Sequence, residues 1–386
     1  MASIRTTVSL TLALAVSVAS APPRAAGEAA ADHLRLRLVT IMDAQGFGQP
    51  VQAASILLPS DWKVESGVRW TTQLGCPQNM IQMSLKASSP DGRLGFEVFP
   101  DFAWVWYDDP TAQYYARQSE QNYAAPGCAV LPSSDAPDYL QNVFLSRWRT
   151  GSTLVDIGRV EELAEAMALE YQALIGGMQS GVQTDFDAAL ATLETPHNGG
   201  ADSEWILAST IRTAAASPSA ASVWTGTLQM AASYRSAAVS QFAARAPKGE
   251  LEKNERLFEA IYRSFRIDPR WDSARLQFWQ AIQRIEQKGA QDRLRIMENS
   301  RRDIGAIMDQ VYENRQASLD RTFERQSQAL RGVETFVDPS TNRRVELSTG
   351  YQGAWTNGLG DYLLSDSPGF DPGRDLGGSW RELRRE

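Results

Sequence analysis

Between residues 34 and 107 the chain reads as a series of short apolar-rich runs separated by turn signals, the first of which alternates apolar and polar positions. Residues 34–42 set Leu36, Leu38, Thr40 and Met42 against Arg35 and Arg37, the two-residue period of a half-buried strand. A Gly-Phe-Gly-Gln-Pro turn at 46–50 leads into a second apolar run at 53–58. LPSDWKVESGVRW (58–70), MIQMSLKASS and RLGFEVFPDFAWVW follow, rich in Val, Ile, Phe and Trp and broken by turn pairs such as Asp91-Gly92. These runs predict an antiparallel sheet.

Helical character enters later. Residues 111–123 favour a helix, 127–137 a loop, and 139–148 a short helix or strand. Residues 160–175 place Leu163, Met167, Tyr171 and Leu174 on one helical face. Strands at 204–213 and 222–232 flank the small-residue stretch AAASPSAA as a hairpin with a long loop, and 253–265 returns to helix. From 272 to about 331 there is no Pro, and Arg, Gln, Glu and Ala are dense. One helix of that length would run about 90 Å, so a helical hairpin is expected. Met297, Ile304, Met308 and Val311 keep a heptad-like spacing that Arg315 interrupts, which leaves two readings, a packing helix or a partner-binding arm. Two hairpins close the chain: 333–337 with 343–347, and 350–355 with 361–364 turning near Asn357-Gly358. Trp355 and Tyr362 on the second are candidate ligand contacts.

The first residues change the picture of where the protein works. Arg5, an apolar run over 8–18 and small residues at 19–21 have the order of a secretory signal peptide, with cleavage expected after Ala21 or Gly27. The run is too short to span a bilayer, so a periplasmic or secreted protein is expected. Export makes a disulfide between the two cysteines, Cys76 and Cys128, the expected state; a reactive pair would favour Cys-x-x-Cys spacing. A net charge of −8 argues against nucleic acid, which demands a clustered positive field. With 43% hydrophobic and 22% charged residues in 386, the chain has the material for a core and for more than one unit: 28–271 as an α+β sheet domain, 272–332 as the helical segment, and 333–386 as a hairpin and loop tail.

Candidate chemistry is thin. With two histidines, His33 and His197, a His-based triad or a His-rich zinc site has little to draw on, and no cofactor or metal is expected. Ser60-Asp61-Trp62-Lys63 has Ser-x-x-Lys spacing, but Pro59 points to a loop rather than the helical turn that would bring Lys to Ser. Glu161, Glu162, Glu165 and Glu170 read as a solvated helix face. Asp366, Asp371 and Asp375 lack the tight alternation of a calcium loop. Phe102, Trp104 and Trp106 share one strand face, as core or as an aromatic strip for sugar, peptide or lipid.

Leu58-Pro59-Ser60-Asp61-Trp62, the turn Ser89-Pro90-Asp91-Gly92 and a helix at 257–265 ending in Ser-Phe-Arg together resemble the superfamily of PsbP-type photosystem extrinsic subunits and Ran-binding Mog proteins. The resemblance covers about 36–271 and implies an α/β sandwich used for binding or assembly, usually without catalysis. It carries no partner-binding residue over to this chain. The expected fold is therefore α+β: an antiparallel sheet sandwich with flanking helices, then the helical segment and the hairpins. The expected function is that of an exported, non-enzymatic binding or scaffold protein of the cell envelope, with protein partners or self-association through 272–332. The alternative is a carboxylate-dependent hydrolase of an envelope polymer.

Overall fold

A computed structural model describes residues 33–71, 75–121, 126–175, 182–197, 200–219, 228–285, 328 and 332–386. The expected signal peptide and most of the helical segment past Ile285 lie outside these residues. The chain forms a mixed α+β fold whose sheets are mostly antiparallel. The first sheet is built from β1 (His33–Asp43) and β2 (Val51–Pro59). The second draws on β3 (Lys63–Trp70), β4 (Ile81–Ser88), β5 (Gly95–Phe99), β6 (Phe102–Tyr107), β7 (Ala129–Val130) and β8 (Thr153–Arg159). It is completed by three long strands, β9 (Val182–His197), β10 (Gly200–Pro218) and β11 (Met230–Pro247). Then come β12 (Arg266–Ile267), β13 (Val333–Val337), β14 (Arg344–Ser348), β15 (Gly353–Thr356), β16 (Asp361–Ser365), β17 (Arg381–Glu382) and β18 (Arg384–Arg385).

The strand orders are β12-β2-β1-β16-β15-β17, then β3-β4-β5-β11-β10-β9-β8 with β6 bridging β11 and β7, and β14-β13-β18. Residues 333–386, which read from the sequence as a tail, thus supply half of the first sheet, with β16 hydrogen-bonded directly to β1. The expected strands at 204–213 and 222–232 are corrected to β10 and β11, and β8 and β9 join them unforeseen. Ala and Ser on both sides of a strand erase the period-two signal, whereas the ladder to two neighbours holds the extended backbone regardless.

β10 pairs with β11 along its whole length, but on the other edge two shorter strands serve it in turn: β6 pairs with its first half and β5 with its second. Ser240 lies between them with φ +50. The buried Gln241 side chain fills the break, donating to the Pro100 carbonyl at 2.7 Å and accepting from the Tyr139 hydroxyl at 2.6 Å.

One core is shared by both large sheets: Ile41, Ile56 and Leu58 meet Leu85, Phe96 and Phe242, and the Glu255–Ser264 helix adds Phe258 and Ile261. Trp62 packs here too. A second core joins Asp43 at the end of β1 to Trp70 at the end of β3 and Trp271 in the Pro269–Ile285 helix. The fully buried Asp43 carboxylate accepts from both indole N–H groups, at 3.0 and 2.9 Å, and from the Gly46 amide at 2.7 Å. Phe47 and Phe278 close over Trp70 edge-on. The described part of the expected helical arm therefore packs into the body through Trp271, Ala274 and Phe278.

Local sequence explains where helices begin. Asp109-Pro110, Asp268-Pro269 and Asp371-Pro372 each place a side-chain acceptor before a residue with no amide to satisfy, and each Asp accepts from the next free amides. Asp338-Pro339 instead makes a turn, since the Asp338 carboxylate takes the Ser340 amide and hydroxyl. Cys76 and Cys128 are disulfide-bonded, with Cα atoms 4.6 Å apart. Glycine before each cysteine allows this approach: a Cβ on Gly75 would lie 2.7 Å from the Pro126 carbonyl oxygen, and one on Gly127 2.8 Å from the Ser119 hydroxyl.

Candidate functional site

Phe102 and Trp104 point inward. They stack on each other at 5.8 Å, and Trp104 stacks on Tyr139 at 5.3 Å beneath the helical stretch that runs from Ala136 to Trp148 through a π turn at Leu140–Phe144. Both are core residues, 4% and 1% exposed, and the Trp104 indole donates to the Pro132 carbonyl. Trp106, at the far end of the strand, is half-buried. Arg149 fastens this helical stretch to the sheet. It lies on Phe99 and bridges Glu204 at 2.6 Å and Glu97 at 3.1 Å. Burial opposes its charge, but the two carboxylates outweigh burial and raise its pKa.

Trp355 and Tyr362 face opposite sides of their hairpin. The register sets Thr356 opposite Tyr362 and Trp355 opposite Leu363. Tyr362 packs with Ala354, Leu36 and Leu364 against the core below, and burial pushes its hydroxyl pKa up. Trp355 points outward, where the edge of its indole closes on Gly353; a Cβ on Gly353 would lie 2.2 Å from the ring's Cη2 atom. Glycine at that place is what gives the ring its seat.

The segment after β16 folds back over Trp355. Phe370 meets the indole edge-on at 5.4 Å and stacks on His33 at 5.1 Å. Trp380 arrives from the other end of the segment, its indole donating to the Gly377 carbonyl, with the Arg35 guanidinium 5.9 Å from its ring. Arg35 also pairs with Asp361 at 3.0 Å. Positive φ at Gly369, Gly377 and Gly378 turns the chain. Asp371 caps Pro372–Asp375, and Asp375 pairs with Arg374, which holds the Asp375 carboxyl at about 2. Asp366 pairs with Arg256, so the three aspartates of this segment serve three separate contacts.

The result is a shallow, open cleft of about 380 Å³ whose lining includes Trp355, Phe370 and Trp380 together with Gln352, Asp371 and Glu382. The three aromatics are half-buried. A mostly polar lining that also includes aromatic side chains suits a ligand rich in hydrogen-bonding groups with some apolar surface. Phe370 and Trp380 escaped the sequence reading because they lie in a Gly- and Pro-rich stretch with no periodicity; their signal was aromatic residues in an otherwise small and polar loop. Comparison with protein-family models, curated proteins and solved structures finds no match.

Proposed function

We propose that this chain is an exported, non-enzymatic binding or scaffold protein of the cell envelope, and that the cleft over Trp355 holds its ligand, an envelope polymer. The observation that supports this is the outward Trp355 ring seated on Gly353 and framed by Phe370 and Trp380. The PsbP/Mog-like resemblance, with its implied role in binding or assembly, agrees with this reading. A partner arm in 272–332, whose described part 272–285 is a helix packed into the body, remains part of the proposal from sequence alone. No helix among the described residues is long and apolar enough to cross a membrane.

A carboxylate-dependent hydrolase is the second reading, because Asp371 and Glu382 line the same cleft. Binding is favoured over it: the Asp371 carboxylate already accepts two backbone amides as a helix cap. The test is co-sedimentation of the mature chain with insoluble peptidoglycan sacculi. The wild type is expected to pellet, Trp355→Ala/Trp380→Ala to lose at least tenfold in bound fraction, and Trp106→Ala to behave as wild type. Unchanged pelleting of the double variant, or none by the wild type, overturns the proposal. Release of soluble fragments that stops on Glu382→Gln establishes the hydrolase instead.

A further inference from the structure

The segment 381–386 crosses from one sheet to another. β17 hydrogen-bonds to Trp355 and Thr356 on β15, whereas β18 bonds to Phe336 and Val337 on β13. Between them Leu383 is 5% exposed, in a socket of Leu36, Phe336, Leu347, Tyr351 and Ala354, and its amide donates to the Ala354 carbonyl at 2.8 Å. The other five residues of the segment are exposed.

The contacts follow a pattern. Arg381, Leu383 and Arg385 are spaced by two along an extended chain and therefore share a face. Glu334, Phe336 and Asp338 have the same spacing on and just after β13. Arg385 faces Glu334 at 3.5 Å, Arg381 faces Asp338 at 3.8 Å, and Leu383 packs with Phe336 between them. Arg385 also donates to the Tyr351 carbonyl. An acid-aromatic-acid strand thus reads a basic-leucine-basic strand. An open groove of about 430 Å³ lies between the segment, which contributes Glu382, Leu383, Arg384 and Arg385 as one wall, and Phe336, Gln352 and Ala354 on the other.

We propose that the seat of 381–386, along β15 and β13 with the leucine socket between them, is an extended-peptide site of the strand-addition kind, that 381–386 is its resident occupant, and that a partner protein's basic-x-leucine-x-basic segment takes its place. The resident is held by one buried side chain, two two-residue ladders and the half-exposed or exposed pairs of Arg381, Arg385 and Glu386, the kind of local structure that opens without global unfolding. Its departure leaves unpaired edges on β15 and β13, which accept main-chain hydrogen bonds from an incoming strand, while Glu334, Asp338 and the leucine socket set its sequence. The groove meets the aromatic cleft at Gln352, Gly353 and Glu382 but does not depend on that cleft's proposed ligand.

The test is a fluorescence-anisotropy titration of labelled Arg-Glu-Leu-Arg-Arg-Glu against the full chain, wild type and Leu383→Asp. A tethered resident competes at an effective concentration of order mM. The variant, whose own segment no longer fits the socket, is therefore expected to bind the peptide at least tenfold more tightly than wild type. Adding Glu334→Gln and Asp338→Asn should weaken that binding at least fivefold, and a peptide with Asp for Leu should not bind. Equal affinity for both chains, or binding that ignores the acids, overturns the proposal. Hydrogen exchange on the wild type gives an arm that no variant can spoil by misfolding. The Leu383 and Glu386 amides should exchange at least tenfold faster than those of the β1–β2 ladder. Exchange of all of them at one common rate means the segment never leaves, and sinks the idea.

Discussion

Replacing Asp43 with Asn tests whether one buried carboxylate holds the two sheets and the Pro269–Ile285 helix together. The side chain accepts from the Gly46 amide, the Trp70 indole through both oxygens, and the Trp271 indole. Asn keeps the size but turns one acceptor into a donor. If the amide oxygen stays with Gly46 and Trp70, the NH2 group meets the Trp271 N–H, donor to donor. One hydrogen bond to a carboxylate is lost, about 2 kcal/mol, and a buried donor is stranded, about 1–3 kcal/mol, giving about 3–5 kcal/mol in all. Trp271→Phe removes the opposing donor and keeps most of the ring volume. In Asp43→Asn/Trp271→Phe the clash is gone, so the double variant should be about 1–2 kcal/mol less destabilised than the sum of the two singles. Urea unfolding followed by far-ultraviolet circular dichroism measures all four proteins without relying on the tryptophans being changed. A loss under about 1 kcal/mol for Asp43→Asn, or strict additivity, would refute the account of this carboxylate as a shared acceptor.

Three further outcomes follow from other sites. Gly353→Ala should expel the Trp355 indole from its seat, shifting its fluorescence and abolishing polymer binding while leaving the urea midpoint nearly unchanged; an unaltered emission spectrum would contradict the close approach seen here. Cys76→Ser/Cys128→Ser should destabilise by up to about 4 kcal/mol, given a separation of 52 residues. Equal urea midpoints for this variant and the oxidised wild type would rule that out. The Ser340 hydroxyl and amide, with Thr341, hold the Asp338 carboxyl at about 2, below its ordinary 3.8. A depressed acid stabilises the fold above its ordinary value and loses that contribution as pH falls toward about 2. Asp338→Asn should therefore flatten the acid limb of stability between about pH 4 and pH 2. A limb as steep as that of the wild type would show that the turn is not the source.

Much of the architecture could be read from residue order because local physics decides it. Alternation marked β1, apolar runs and turn pairs marked β2 and the strands through Trp106, Asn357-Gly358 marked the turn between β15 and β16, and the expectation of export with two cysteines marked the disulfide. The helix starts at Asp109, Asp268 and Asp371 are just as local, since the acceptor and the missing amide are neighbours in sequence. Other features depended on positions far apart in the chain. Nothing near Trp104 says that Tyr139 will cover it, so a core stack and an exposed strip look alike on one strand. Asp43 reads as a strand end until Trp271, 228 residues away, donates to it. Trp355 and Tyr362 share a hairpin, yet strand register turns them to opposite faces and leaves Trp355 to Phe370 and Trp380. The long Ala-rich strands hid because small side chains mark neither face, and only hydrogen bonds to neighbouring strands define them. Periodicity and turn chemistry are local and survive in a one-dimensional reading, whereas burial and the grouping of a site belong to pairs of residues that only the folded chain brings together.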